Sequence, residues 1–345
     1  FHFVDTQDAA NVAAHLNDKT RLVWLETPTN PLLRVTDIAA VAKVLEGHPA
    51  HLAVDNTFAT PALQNPLSQG ADIVMHSVTK YLGGHSDVVM GALMTQDAEV
   101  DAPLRTIQNN VGAVPSPMDC FLVLRGIKTL GIRVKQHCAN GRAVAEWLQA
   151  NPKVNKVYWP GFSEFRNHAV AARQMNDFGG MISFTLTDDS LETSRKVCES
   201  TQVFALAESL GGVESLIEHP ALMTHASVPA EQRALLGIND SLIRLSCGIE
   251  DAADLIADLD QADTALSLPL GHDDPNLPLR MADTRFRTPL GNEAAKHLTW
   301  GTGPSSPPKR RTLNDSPVQK HGAYHPERTH SPRGSPKPYD RMTHG

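Results

Sequence analysis

Cysteine is scarce in this chain. Only Cys120, Cys138, Cys198 and Cys247 occur in 345 residues, and no two of them form a CxxC pair. That spacing suggests neither a zinc site nor a disulfide framework, and a reducing compartment follows as the default. Long apolar runs are missing too: none approaches the ~20 residues that cross a bilayer. The N-terminus lacks the basic-then-apolar pattern of a secretory signal. A cytoplasmic protein is expected, although the chain starts at Phe1 in mid-pattern and an address upstream of it stays open. There is no basic surplus either, since the net charge is −7. From Gly271 onward there are 12 basic against 7 acidic residues, which leaves residues 1–270 at −12. An acidic body of this kind argues against nucleic acid or an anionic membrane as the main partner. His76, His85, His219 and His225 share no metal-ligand spacing, so no metal is expected.

What is present suits a globular protein: 41% apolar residues over a length sufficient for a large and a smaller domain. Residues 7–18 read as a short helix and 21–26 as a buried strand stopped by Pro28 and Pro31. A helix over 36–46 with a Thr or Asp start signal follows, then strands at 52–55, 73–75 and 91–95. Alternation at this spacing predicts a mostly parallel sheet covered by helices. Residues 116–149 are helical in pattern with breaks near Gly126 and Gly131. A second unit then reads as helices at 167–176, 190–199 and 250–262, strands at 180–186, 203–206 and 242–246, and a loop over 208–226. The expected division is a large domain over 1–140 and a smaller α/β domain over 141–265. Eleven of the 24 prolines fall after Gly271, among basic, His and Ser residues with little apolar periodicity. Residues 266–345 therefore read as a disordered tail.

In open α/β sheets ligands gather at the carboxyl ends of the strands. Here three successive ends carry Glu26 and Asn30, Asp55 and Thr57, and Ser77, Thr79 and Lys80. A lysine held at a strand end, with hydroxyls one and three residues before it, suits a Schiff-base cofactor. Pyridoxal 5′-phosphate needs such a lysine, a carboxylate for its pyridine nitrogen and donors for its phosphate. Lys80, Asp55 and the Ser77/Thr79 pair supply those groups. By contrast Tyr81 and Cys247 read as packing residues, and Gly211-Gly212 as a turn.

The chain also resembles the Cys/Met-metabolism pyridoxal phosphate enzymes of fold type I, a family that includes cystathionine γ-lyase, γ-synthase and β-lyase and methionine γ-lyase. The matching segments include Glu26-Thr-Pro-Thr-Asn-Pro31, Asp55-Asn-Thr-Phe58, His76-Ser-Val-Thr-Lys-Tyr81, Gly84-His-Ser-Asp87, Arg125-Gly-Ile-Lys-Thr129, Ala207-Glu-Ser-Leu-Gly-Gly212 and Met223-Thr-His-Ala226. The resemblance spans residues 1 to about 262. It implies the aspartate aminotransferase fold type I, with Lys80 as the lysine that binds the cofactor and shuttles protons. It further implies Asp55 at the pyridine nitrogen, Ser77 and Thr79 at the phosphate, and Asn30 near the 3′-oxygen. Arg244 is implied as the binder of the substrate carboxylate, helped by Ser209. Its alternative is a salt bridge at the domain seam, and a charge in an otherwise apolar strand favours the ligand role. Glu208 either accepts the distal ammonium of cystathionine or caps its loop.

The family also carries a segment upstream of the part matched here, with a phosphate loop, a ring-stacking tyrosine, and a Tyr and Arg that reach a neighbouring subunit. The chain is therefore expected to be an N-terminally truncated piece that alone holds its cofactor poorly. A homotetramer with shared sites is implied. The reaction expected is γ-elimination of cystathionine to cysteine, 2-oxobutanoate and ammonia. Its alternatives are the γ-synthase reaction on an acylated homoserine and an inactive fragment or interaction protein.

Overall fold

The computed structural model describes residues 1–264; the expected tail over 266–345 lies outside them. The chain opens with α1 (Ala9–His15), whose first turn is capped by the Asp8 side chain on the Ala10 N–H. Strand β1 (Leu22–Glu26) follows, then α2 (Ile38–Val44), capped by Asp37 on the Ala40 N–H, and β2 (His51–Asp55). Helix α3 (Thr60–Leu63) and a 3-10 turn (Pro66–Gln69) lead into β3 (Ile73–Ser77) and β4 (Gly91–Met94). These four strands form one sheet in the order β1-β2-β3-β4. The first three are parallel and β4 is an antiparallel edge, so the expected mostly parallel sheet is what forms. One face is sealed by Leu25, Leu52 and Val54 against Ile38 and Val41 of α2. Each such buried side chain contributes about 1.5–3 kcal/mol.

Three helices follow: α4 (Ala98–Val111), α5 (Pro117–Ile127) and α6 (Leu130–Ala150). Helix α4 is absent from the expected elements, although Asp97 before it and Gly112 after it are start and stop signals. It is mostly exposed and holds Pro103 within it, and its N-terminus is capped by Asp97 on Glu99 N–H. The break between α5 and α6 falls at Lys128-Thr129, and Gly131 lies inside α6 rather than ending a helix. Gly126 has a different task. A Cβ there would lie 2.4 Å from the Gly83 carbonyl oxygen, so only glycine lets α5 approach the loop that follows Lys80. Gly126→Ala is therefore expected to destabilise the chain by about 1–3 kcal/mol, read as a lower urea midpoint; an unchanged midpoint would contradict this account.

The second sheet has the order β5-β6-β9-β8-β7. In chain order its elements are β5 (Val154–Tyr158), α7 (His168–Gln174), β6 (Met181–Leu186), α8 (Leu191–Ser200), β7 (Ala205–Leu206), β8 (Leu216–Glu218), α9 (Ala230–Leu236), β9 (Leu242–Ser246) and α10 (Ala252–Thr264). Its pairings are antiparallel except β7 with β8. The strand expected over 203–206 shrinks to two residues. The Asp258 carboxylate takes the N–H groups of Gln202, Val203 and Phe204, which removes them from the ladder. Conversely, the expected loop over 208–226 contains β8. Its three residues are all buried, so no alternation marks it in the sequence. Helix α6 passes through residue 140 without interruption and packs on the second sheet's core through Val144, Ala145 and Leu148.

Among the described residues no helix is long and apolar enough to cross a membrane. No group of three or more His, Cys, Asp or Glu among them could hold a metal ion.

Candidate active site

Because β1, β2 and β3 run parallel, their carboxyl ends open on the same edge of the sheet. Glu26 and Asp55 are register partners at the ends of β1 and β2, and Ser77 ends β3. These ends, with β9 and the loop after β7, enclose a cavity of about 420 Å³. Lys80, Asp55, Ser77 and Asn30 line it from the first sheet, and Arg244, Ser209 and Glu208 from the second, with Glu208 exposed. The eighth expected residue, Thr79, is not in the lining. Its hydroxyl donates to the Met90 carbonyl (3.3 Å) and accepts from the Met90 N–H (3.0 Å).

Lys80 is positioned by a tight turn in which Lys80 N–H donates to Ser77 O, Gly83 N–H to Val78 O and Gly84 N–H to Lys80 O. Arg133, buried on α6, braces that turn by donating to the Tyr81 carbonyl (2.8 Å) and the Gly126 carbonyl (2.9 Å). The Lys80 amine donates to Ser209 Oγ at 2.9 Å. Burial lowers its pKa, the Arg244 charge adds to this, and Glu218 and Glu208 oppose it. A depressed lysine pKa raises the fraction of neutral, nucleophilic amine. Ser209 holds φ at 97°, a conformation uncommon for a residue with a side chain, and the loop beside it packs closely. A Cβ on Gly211 would lie 2.8 Å from the Tyr81 N, which ties this loop to the lysine turn.

Asp55 is held by Thr57, whose N–H (3.0 Å) and hydroxyl both donate to Asp55 Oδ1. The same Thr57 hydroxyl accepts the Ser77 N–H at 2.9 Å, so one residue links two strand ends. Opposite them, Arg244 in β9 donates through Nη1 to Asn30 Oδ1 (2.8 Å) and through Nη2 to Ser209 O (2.7 Å). It also pairs with Glu218 Oε1 at 2.9 Å, both side chains being 1% exposed. Burial works against both of these charges, and each is the other's main support. Arg244 Nε is left as a buried donor with no hydrogen-bond partner. Thus the salt bridge and the cavity position coexist at Arg244.

Glu218 is the residue the sequence reading missed. It is the register partner of Arg244 across β8 and β9, and only that pairing identifies it. The residues read as packing do pack: the Tyr81 ring is buried edge-on to His137 at 5.2 Å, and Cys247 is fully buried. His76 is buried, and burial lowers its pKa to about 4.

Such a donor set suits pyridoxal 5′-phosphate. An amine of lowered basicity, a braced carboxylate and a strand-end hydroxyl face one cavity, with a buried guanidinium opposite.

Comparison with known proteins bears on this set. The family described as Cys/Met metabolism PLP-dependent enzyme matches residues 1–263. The chain is 56% identical to the cystathionine gamma-lyase of Dictyostelium discoideum, over 76% of this chain and 67% of that protein. It is 53% identical to the cystathionine gamma-synthase of Mycobacterium bovis, over 74% of this chain and 65% of that protein. Among solved structures, cystathionine gamma-lyase from Lactobacillus plantarum complexed with L-serine aligns with a TM-score of 0.76 at 44% identity, covering 77% of this chain and 70% of that one. The chain thus spans about two thirds of the length of the curated relatives it matches.

Proposed function

This chain belongs to the Cys/Met metabolism PLP-dependent enzyme family, whose cofactor is pyridoxal 5′-phosphate, and from that premise we propose that it cleaves L-cystathionine to L-cysteine, 2-oxobutanoate and ammonia. The observation that carries this reading is the Lys80 amine, held on Ser209 in a cavity that also contains Asp55 and Arg244. When bound, the cofactor supplies an aldehyde that captures amines and a ring that stores an electron pair. Asp55, with one oxygen fixed by Thr57, would hold the ring nitrogen, and Asn30 would stand near the 3′-oxygen. Ser77 and Thr79 would hold the phosphate, Thr79 adding that contact to its bond with Met90.

Arg244 would hold the substrate α-carboxylate, for which a planar guanidinium is well shaped, with Ser209 assisting. Lys80 Nζ would take the proton from substrate Cα and give it up for later return to Cγ, then take one from Cβ and deliver it to the departing sulfur. The Cγ–S bond breaks, the sulfur leaves with a proton as cysteine, and water enters as ammonia departs. Glu208, exposed in the cavity lining, would accept the distal ammonium. The identity to the Dictyostelium discoideum protein favours this lyase reading.

A second reading rests on the similar identity to the mycobacterial synthase. There the same early proton transfers would precede addition of a cysteine thiol at Cγ. The chain reconstituted with pyridoxal 5′-phosphate should form 2-oxobutanoate from cystathionine faster than it forms cystathionine from an acylated homoserine and cysteine. Dominant synthesis would replace the first reading by the second.

We further propose a cytoplasmic homotetramer with shared sites. Exposed Val111, Val114, Met118, Phe121 and Leu124 on and between α4 and α5 support a face that another copy covers. Light scattering on the same preparation should give a four-chain mass; a monomer would overturn this.

A further inference from the structure

One carboxylate of the cavity has no task in the reaction above. Glu26 ends β1 directly beside Asp55 at the end of β2, and both line the cavity. Its Oε1 accepts the Asn30 N–H at 2.7 Å, closing the turn between them. The Asn30 side chain in turn accepts from Arg244 Nη1 at 2.8 Å. Glu26 is therefore two hydrogen bonds from the guanidinium read as the carboxylate binder, and one strand away from the carboxylate read as the ring partner.

We propose that Glu26 is a positioning residue that binds a proton when the site accepts an amino-acid carboxylate, and that losing this proton weakens the hold of Asn30 and Arg244 on that carboxylate. The inference rests on the reading of Arg244 given above.

The surroundings account for the proton. The charged groups facing Glu26 are Asp55 on β2, Lys80 in the turn after β3, Glu208 in the loop after β7 and Arg244 on β9. Burial, opposed in part by the Asn30 N–H and reinforced by the Asp55 charge, raises the Glu26 pKa to about 7. His76, on β3 beside Asn56, is held near 4 and stays neutral across this range. Below pH 7 the turn is closed by a neutral carboxyl. Above it, a second negative charge appears beside Asp55, repels an incoming carboxylate and draws on the Arg244 charge.

The first test needs neither cofactor nor turnover. Infrared difference spectra of the chain on either side of pH 7 should show a protonated-carboxyl band that disappears with a midpoint near 7, and Glu26→Gln should lack it. The second measures propionate binding to the reconstituted chain by calorimetry. In the native chain the affinity should fall roughly tenfold as pH rises from one unit below to one unit above that midpoint, the effect of one added charge several ångströms away at an effective dielectric of about 20. In Glu26→Gln, whose amide oxygen keeps the Asn30 bond, the profile should be flat to within about twofold. A purely structural role for Glu26 would leave the two pH profiles parallel.

If the band persists in Glu26→Gln, or if both proteins lose propionate affinity alike, the proposal is overturned. Propionate binding indifferent to Arg244→Lys would instead overturn the reading of Arg244, and the inference with it.

Discussion

Replacing Lys80 with alanine should remove both turnover and the visible absorbance that the chain acquires on reconstitution with pyridoxal 5′-phosphate. In the function proposed above, the amine is the nucleophile for the cofactor aldehyde and the group that moves protons at substrate Cα and Cβ. General acid–base catalysis alone contributes about 10²–10⁴-fold, and loss of covalent attachment adds to it. A fall of at least ~10⁴-fold in 2-oxobutanoate formation is therefore expected. Nothing else in the cavity replaces it: the other cation, Arg244, stays protonated and is bound on three sides by Asn30, Ser209 and Glu218.

Lys80→Arg is the sharper control. It keeps a positive charge near Ser209 yet offers no neutral amine, so it should be as inactive as alanine. The assay is the rate of 2-oxobutanoate release, with the cofactor titrated spectroscopically in parallel. Activity of either variant within tenfold of the native chain would remove Lys80 from the chemistry.

The second large effect is on stability. Glu218→Ala should destabilise the chain by about 3–5 kcal/mol, because it leaves Arg244 as a buried charge with no counter-charge. Both partners are almost fully enclosed, and their bond joins adjacent strands β8 and β9. Glu218 Oε1 also accepts the Thr224 hydroxyl at 3.0 Å, so the same change loosens a cavity-lining residue. Urea unfolding at neutral pH measures the loss. The double variant Glu218→Leu with Arg244→Met should recover much of it, since removing both charges lifts their desolvation penalty. That double variant should nevertheless fail to bind propionate. A single variant as stable as the native chain would mean that the guanidinium finds another partner or water.

Much of this was legible before any coordinates. The strand before Thr27-Pro28, the strand ending at Asp55 and the strand ending at Ser77 all form near the expected residues. Each is a run of β-branched or apolar residues stopped by polar or proline punctuation, which is a local signal. The Asp37 cap on α2 was likewise readable, because a capping side chain acts within three residues of itself. The misses share a cause. Strand β8 is too short and too uniformly buried to show a period. Strand β7 loses residues to the Asp258 carboxylate, more than 50 positions away. The break expected near Gly126 does form, at Lys128-Thr129, but the close approach of Gly83 that requires a glycine there joins positions more than 40 residues apart.

The sequence by itself determined the chemical groups and their order: a lysine preceded by hydroxyls at a strand end, an aspartate at the end of the strand before it, and an arginine in a late apolar strand. Those depend on residue identity and on neighbours a few positions apart. Tertiary structure alone decided which groups meet. It set Glu26 against Asp55 through parallel register, Glu218 against Arg244 through antiparallel register, and Lys80 against Ser209 across 129 residues. It also tied the Thr79 hydroxyl to the Met90 backbone, 11 residues further along the chain. The reason is physical: burial and the charge of a spatial neighbour move a side chain's proton affinity by several units, and neither exists until the strands have paired.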